Sequence, residues 1–175
     1  MTTKIGSKPL RRTSLDEDDL YPGDVEDAMP EGNLPRLLAS YIVEIIFRVL
    51  ARSRKFAAYA NLPIYYEEGS PRKHVSPDAF FVDGVAYAKR LRSYQLWKAH
   101  VVPQVVFEIV SERHEKKDVE ENRRLYAQLG VSEYYWFNPK TGKLCALRFD
   151  TASRVYQERQ PNSLGRYESP ILGME

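Results

Sequence analysis

At 175 residues the chain has room for one domain with a modest extension, and a second full domain is excluded. A hydrophobic share of 43% is ordinary for a soluble protein, and the formal charge of +2, from 26 basic and 24 acidic residues, is too small to mark a nucleic-acid partner by itself. The single cysteine, Cys145, rules out an internal disulfide and the zinc motifs built on cysteine pairs.

The chain opens on Met1 to Tyr21, where Lys4, Lys8, Arg11 and Arg12 stand with the acid run Asp16-Glu17-Asp18-Asp19 and no apolar period appears. Residues 1–21 read as a flexible, solvated extension. They also lack the apolar core of a signal peptide, and no later run approaches the ~20 apolar residues of a membrane span. A soluble, cytoplasmic protein with no membrane partner is the expectation.

Turn residues follow at Pro22-Gly23 and again at Pro30, Glu31, Gly32 and Asn33. Leu34, Leu37, Leu38, Tyr41, Ile42, Ile45 and Val49 then recur at helical spacing, with Pro35 tolerated in a first turn, and predict a helix to about Arg52. Ile46, Phe47 and Leu50 widen its apolar face, so the helix is expected to pack on two sides, as a core helix or through a homodimer contact.

Phe56 to Glu67 is rich in aromatics and reads as one strand, turned by Gly69, Ser70 and Pro71. A second strand follows Pro77, with Asp78 at its entrance and Asp83-Gly84 at its end. Val85 to His100 forms a basic, aromatic insertion with Lys89, Arg90, Arg92, Tyr94, Trp97 and Lys98, including a short helix from Tyr94. Such a segment either covers a sheet edge or tracks a nucleic-acid backbone with its cations while its rings stack on bases.

Val105 to Val110 is apolar on both faces, as a central strand should be, except for Glu108. A helix is predicted from about Asp118 to Gly130, with Asp118, Asn122, Leu125 and Leu129 at helical spacing, so that Asn122 faces inward. Tyr134 to Asn138, Leu144 to Phe149 and Arg154 to Glu158 complete a meander, and residues 161–175 form a polar, irregular tail. Residues 22–160 are thus the expected domain.

Two acids are out of place in this pattern. Asp78 and Glu108 each sit in an apolar run, where an unpaired carboxylate costs several kcal/mol unless it is neutralised, paired or bound to a metal. The order helix, strands, helix, strand puts them on neighbouring strands of one mixed sheet under a helix. Two adjacent carboxylates suit a hard divalent cation such as magnesium, which keeps positions for water and phosphate oxygens. His74, His100 and His114 form no ligand pair at helical spacing, and Ser111 with His114 lacks the third group of a hydrolase triad.

The combination of Pro77-Asp78, Glu108 in Val105-Val106-Phe107-Glu108-Ile109-Val110-Ser111, Asp118, Leu125-Tyr126, Gly130-Val131 and Glu133-Tyr134 resembles the Uma-two family of restriction-endonuclease-like proteins, in the PD-(D/E)XK nuclease superfamily. Asn61-Leu62, Tyr65-Tyr66-Glu67-Glu68-Gly69, Pro71-Arg72-Lys73 and Tyr94-Gln95-Leu96-Trp97 extend the likeness, which runs from about Tyr21 to Phe149.

The resemblance implies an α/β fold with an αβββαβ core, a mixed central sheet and a C-terminal meander, and a magnesium- or manganese-dependent endonuclease site acting on DNA. Asp78 then takes the motif's aspartate and Glu108 its second acid, both as metal ligands. Glu31 aligns with an upstream glutamate able to approach the same metal, or is an ordinary acid in a helix's first turn. The lysine of the simple motif falls at Val110, and the alternative lysine place on the following helix falls at Asn122, whose amide supplies no charge. Lys116, Lys117, Arg123 and Arg124 are the nearby cations. The functions implied are a DNA endonuclease, or a nucleic-acid-binding or homodimeric module that keeps the nuclease fold without cutting.

Overall fold

The computed structural model describes residues 20–21, 33–110 and 117–175. Expectations for Met1 to Asp19, and those for Glu31, Ser111, His114 and Lys116, lie outside the described residues.

The long helix, α1 (Asn33–Leu50), forms as its periodicity predicts, but a different side of it is buried. Ala39, Ile46 and Leu50 enter the core, with Leu38, Ile42, Val43 and Phe47 packed beside them. Leu34, Leu37, Tyr41, Ile45 and Val49 face outward instead. A helix apolar around much of its circumference leaves the choice of face to the sheet. The side taken carries Ala39, which packs with Ala79 and Ile109 and lets the helix axis come close.

The expected strand from Phe56 to Glu67 is two strands in two sheets. β1 (Phe56–Ala60) stops at Asn61, which has the left-handed φ of 52° that asparagine tolerates better than most residues. Pro63 then has no N–H to give a ladder, and the chain leaves for β2 (Ile64–Tyr65). With β3 (His74–Val75) and β5 (Tyr94–Gln95) it makes a small sheet of order β3-β2-β5, followed by the short helix α2 (Leu96–Ala99).

The main sheet adds β4 (Ala79–Asp83), β6 (Val105–Ile109), β7 (Glu133–Asn138), β8 (Lys143–Asp150) and β9 (Val155–Glu158), in the order β1-β4-β6-β7-β8-β9. Every neighbouring pair is antiparallel except β6 with β7. Parallel neighbours need a crossover, and this one contains a π-helical turn (Lys117–Glu121) leading into α3 (Asn122–Leu129). Gly130, at φ 84°, ends α3 in the left-handed conformation. The result is a mixed α/β fold around a mixed sheet, with the expected meander at its end.

Cores lie on both sheet faces. α3 covers the side of Phe80, Val106, Tyr126, Tyr134 and Tyr156, while α1 covers the side of Phe81, Val105 and Tyr135. The segment after Pro161 is irregular, yet Leu172 is buried on the α1 side and the Ser169 hydroxyl donates to Glu133 beneath it. At the other end Tyr21 is buried, its ring centroid 5.0 Å from those of both Tyr65 and Trp97, and its hydroxyl accepts the Gly69 N–H at 2.8 Å. Among the described residues no helix is long and apolar enough to cross a membrane.

Candidate active site

The register of the sheet brings the two anomalous acids together. Ala79 is opposite Phe107, so the next step along the antiparallel ladder sets Asp78 opposite Glu108. Directly opposed residues point to the same face, and Glu108 shares that face with Val106 and Val110, beneath α3. Asp78 stands just before β4, where Pro77 has no N–H to give a ladder.

Each acid is held by its surroundings. The Ile109 N–H donates to Asp78 Oδ2 at 2.6 Å, the Asn61 N–H donates to the Asp78 carbonyl at 2.8 Å, and the Asp78 N–H faces Glu108 Oε2 at 3.4 Å. The left-handed turn at Asn61 therefore both ends β1 and fixes the backbone of Asp78.

Glu108 is only 5% exposed, and burial on this scale demands donors. Two come from α3. The Asn122 side-chain amide donates to Glu108 Oε1 at 3.1 Å, and the Tyr126 hydroxyl donates to the same oxygen at 2.6 Å. Four residues apart on one helix, Asn122 and Tyr126 occupy a single face and clamp one carboxylate oxygen. The inward direction predicted for Asn122 is thus observed. Tyr126 had a signal too, its i+4 relation to Asn122, but a tyrosine on an apolar helix face reads first as core.

The cations offered as substitutes for a lysine are not brought to Glu108. Arg123 donates to the Tyr156 carbonyl at 2.9 Å, toward the meander, and Arg124 is exposed. The basic insertion splits in a similar way. Lys89, Arg90, Arg92 and Lys98 are exposed, but Tyr94 is buried with its hydroxyl donating to the Val101 carbonyl at 2.8 Å, and Trp97 packs on Tyr21. These two rings serve packing rather than an open stacking surface, and Tyr87 is the aromatic of the insertion left exposed.

The donor set fits one kind of metal. Among the described residues no three His, Cys, Asp or Glu side chains gather in the way a protein-only cage requires. Two carboxylates complemented by water and substrate oxygens are what magnesium or manganese accepts. Cys145, buried on β8, and the half-buried His74, tied to the Pro71 carbonyl at 3.1 Å, stand apart from this pair.

A second buried acid went unforeseen. Glu133, 2% exposed, accepts the Tyr135 and Ser169 hydroxyls on Oε2, while its Oε1 has no hydrogen-bond partner. Its neighbours tie the closing segment to β7, on the opposite face from Glu108.

Comparisons with known proteins agree with this frame. The family model described as "Uma2: Putative restriction endonuclease" matches residues 17–174. A crystal structure of a protein from Anabaena variabilis, described as a putative nuclease belonging to DUF820, is similar with a TM-score of 0.58 and 17% sequence identity, over 83% of this chain and 76% of that one. A comparison with curated proteins found no match. At that identity the structural likeness speaks for the fold, a nuclease fold related to the PD-(D/E)XK superfamily, while the family model covers nearly the whole chain. The chain belongs to the Uma2 family.

Proposed function

We propose that this chain is a magnesium- or manganese-dependent endonuclease that hydrolyses DNA phosphodiester bonds at Asp78 and Glu108. The observation that carries the reading is their opposition across the β4–β6 ladder, with the Asp78 N–H 3.4 Å from Glu108 Oε2. With the small sheet set aside, α1, β1, β4, β6, α3 and β7 follow one another in the order αβββαβ, and we read them as the nuclease core.

A divalent cation bound here would supply charge stabilisation to a scissile phosphate and lower the pKa of an attacking water. The chain's own contribution is positioning. Ile109 N–H and Asn61 N–H hold Asp78, and Asn122 and Tyr126 hold Glu108, so both carboxylates are oriented before a ligand arrives. Glu31 is proposed as a third acid approaching the same metal. The exposed Lys89, Arg90 and Arg92 are proposed to meet DNA phosphates. A cytoplasmic location accords with this role.

One observation favours a second reading. Asn122 reaches Glu108 from the helix position where the family's lysine is expected, and it brings a dipole in place of a positive charge. A protein that binds cation and nucleic acid but cuts slowly or not at all follows from that exchange.

The test couples binding to cleavage. Manganese titration followed calorimetrically, and nicking of supercoiled plasmid with magnesium or manganese, are compared for the wild type and Asp78→Ala. Cation binding and nicking that both vanish in Asp78→Ala support the endonuclease. Binding without nicking supports the second reading, and a wild type that binds no cation removes the site.

A further inference from the structure

We infer that the outer face of α1 is a self-association surface, through which two copies of this chain pair about a two-fold axis passing near Tyr41. Leu34, Leu37, Tyr41, Ile45 and Val49 are 52%, 60%, 64%, 44% and 52% exposed. They recur every three or four positions along the 18 residues of α1, and so form one line on the side turned away from the sheet. Single exposed apolar residues are common on soluble proteins, but five large ones in one line make a contiguous patch of the kind that marks an interaction site.

The spacing of the line identifies its occupant. Counting from Tyr41, Leu37 and Ile45 lie four residues to either side, Leu34 lies seven before and Val49 eight after. A two-fold axis through Tyr41, perpendicular to the helix, runs two α1 helices antiparallel. It sets Tyr41 against Tyr41, Leu37 against Ile45, and Leu34 against Val49. The line is therefore its own complement, which an isologous contact between identical chains requires and a contact with an unrelated partner does not.

Shape and charge agree with a second copy. Beside the line runs an apolar groove of about 520 Å³, walled by Leu38, Ile42 and Ile45 of α1, floored by Phe107 and Tyr135, and closed by Leu172. Ile45 belongs to both features, so each copy offers projecting side chains next to a hollow able to receive those of the other. Glu44 and Arg48, exposed on the same helix and paired at 2.6 Å, cancel each other's charge and leave no net repulsion between copies. Joining the two lines covers on the order of 1,000 Å², close to the lower bound for a specific interface, so the dimer is a reversible one. This pairing does not depend on the nuclease reading.

Sedimentation of the full chain across the micromolar range should show a monomer–dimer equilibrium. Leu37→Glu and Tyr41→Glu, both at exposed positions and so compatible with an unchanged circular dichroism spectrum, should weaken it by about tenfold or more. Val155→Glu, exposed on β9, should leave it unchanged. Orientation is read by oxidation. Tyr41→Cys should form a disulfide between copies, Leu34→Cys alone should not, and Leu34→Cys mixed with Val49→Cys should. A chain that stays monomeric throughout the range, or a dimer indifferent to Tyr41→Glu, overturns the surface. Self-linking by Leu34→Cys as readily as by Tyr41→Cys overturns the antiparallel two-fold.

Discussion

The Tyr126 hydroxyl lies 2.6 Å from Glu108 Oε1, joining the helix that follows the crossover to the carboxylate in the centre of the sheet. Both residues are buried, and so this hydrogen bond links the fold to the site directly: the packing of α3 sets where one carboxylate oxygen points.

Tyr126→Phe tests that link. The ring and its packing on Tyr134 remain, and only the donor to a buried carboxylate is lost. A loss of about 1–3 kcal/mol in stability is expected, because a buried acceptor gives up its shorter partner while Asn122 remains. Urea denaturation with an unchanged m-value checks it. A change below the error of the extrapolation means that the bond contributes nothing net.

Asn122→Lys addresses the missing charge. Asn122 is half-buried and already in hydrogen-bond contact with Glu108, so a lysine there gains a carboxylate partner. On the proposed reading, the plasmid-nicking rate in magnesium should rise by roughly 10²-fold or more, the scale on which a positioned electrostatic group acts. An unaltered rate with intact folding shows that Asn122 does not limit the reaction.

Much of this arrangement is legible in residue order, and the exceptions have definite physical causes. Asp78 and Glu108 stand out because carboxylates in apolar runs need compensation. Their mutual opposition follows only from the Ala79–Phe107 register, which long-range pairing sets. The helix from Asn33 is visible by its period, but its outward line of large residues is as apolar as its buried side, and periodicity alone cannot rank two apolar faces. The break after Ala60 depends on one left-handed asparagine and the proline two residues later, signals easily lost in an aromatic run. The closing segment packs through Ser169 and Leu172, two side chains amid polar neighbours, with no periodicity to announce them.

High pH should destabilise the fold before it ionises the buried tyrosines. Burial pushes the Tyr94 hydroxyl up to about 12, and burial, followed by the charge of Glu158, pushes the Cys145 thiol up to about 11. Burial also raises Tyr135 and Tyr156. A group whose folded pKa exceeds its unfolded value contributes stability that is complete below the unfolded value and is lost as pH rises toward the folded one. The losses should therefore begin near pH 9 to 10, the ordinary thiol and phenol values, and grow toward 11 to 12. Thermal unfolding midpoints should fall through that window, with tyrosinate absorbance rising together with unfolding. A midpoint that stays level there contradicts the assigned burial.

The adjacent residues Ile45 and Ile46 separate the two faces of α1. Ile46 is 1% exposed and packs with Phe81 and Val105, whereas Ile45 is 44% exposed on the outer line. Ile46→Ala should cost about 2–5 kcal/mol, through lost transfer free energy and the cavity left behind. Ile45→Ala, measured at concentrations where the chain is monomeric, should change stability by no more than about 0.5 kcal/mol, since it vacates no packed space. Denaturant midpoints for the two variants decide the matter. Equal costs mean that the helix is rotated from the orientation described, and with it the outer line that the proposed dimer uses.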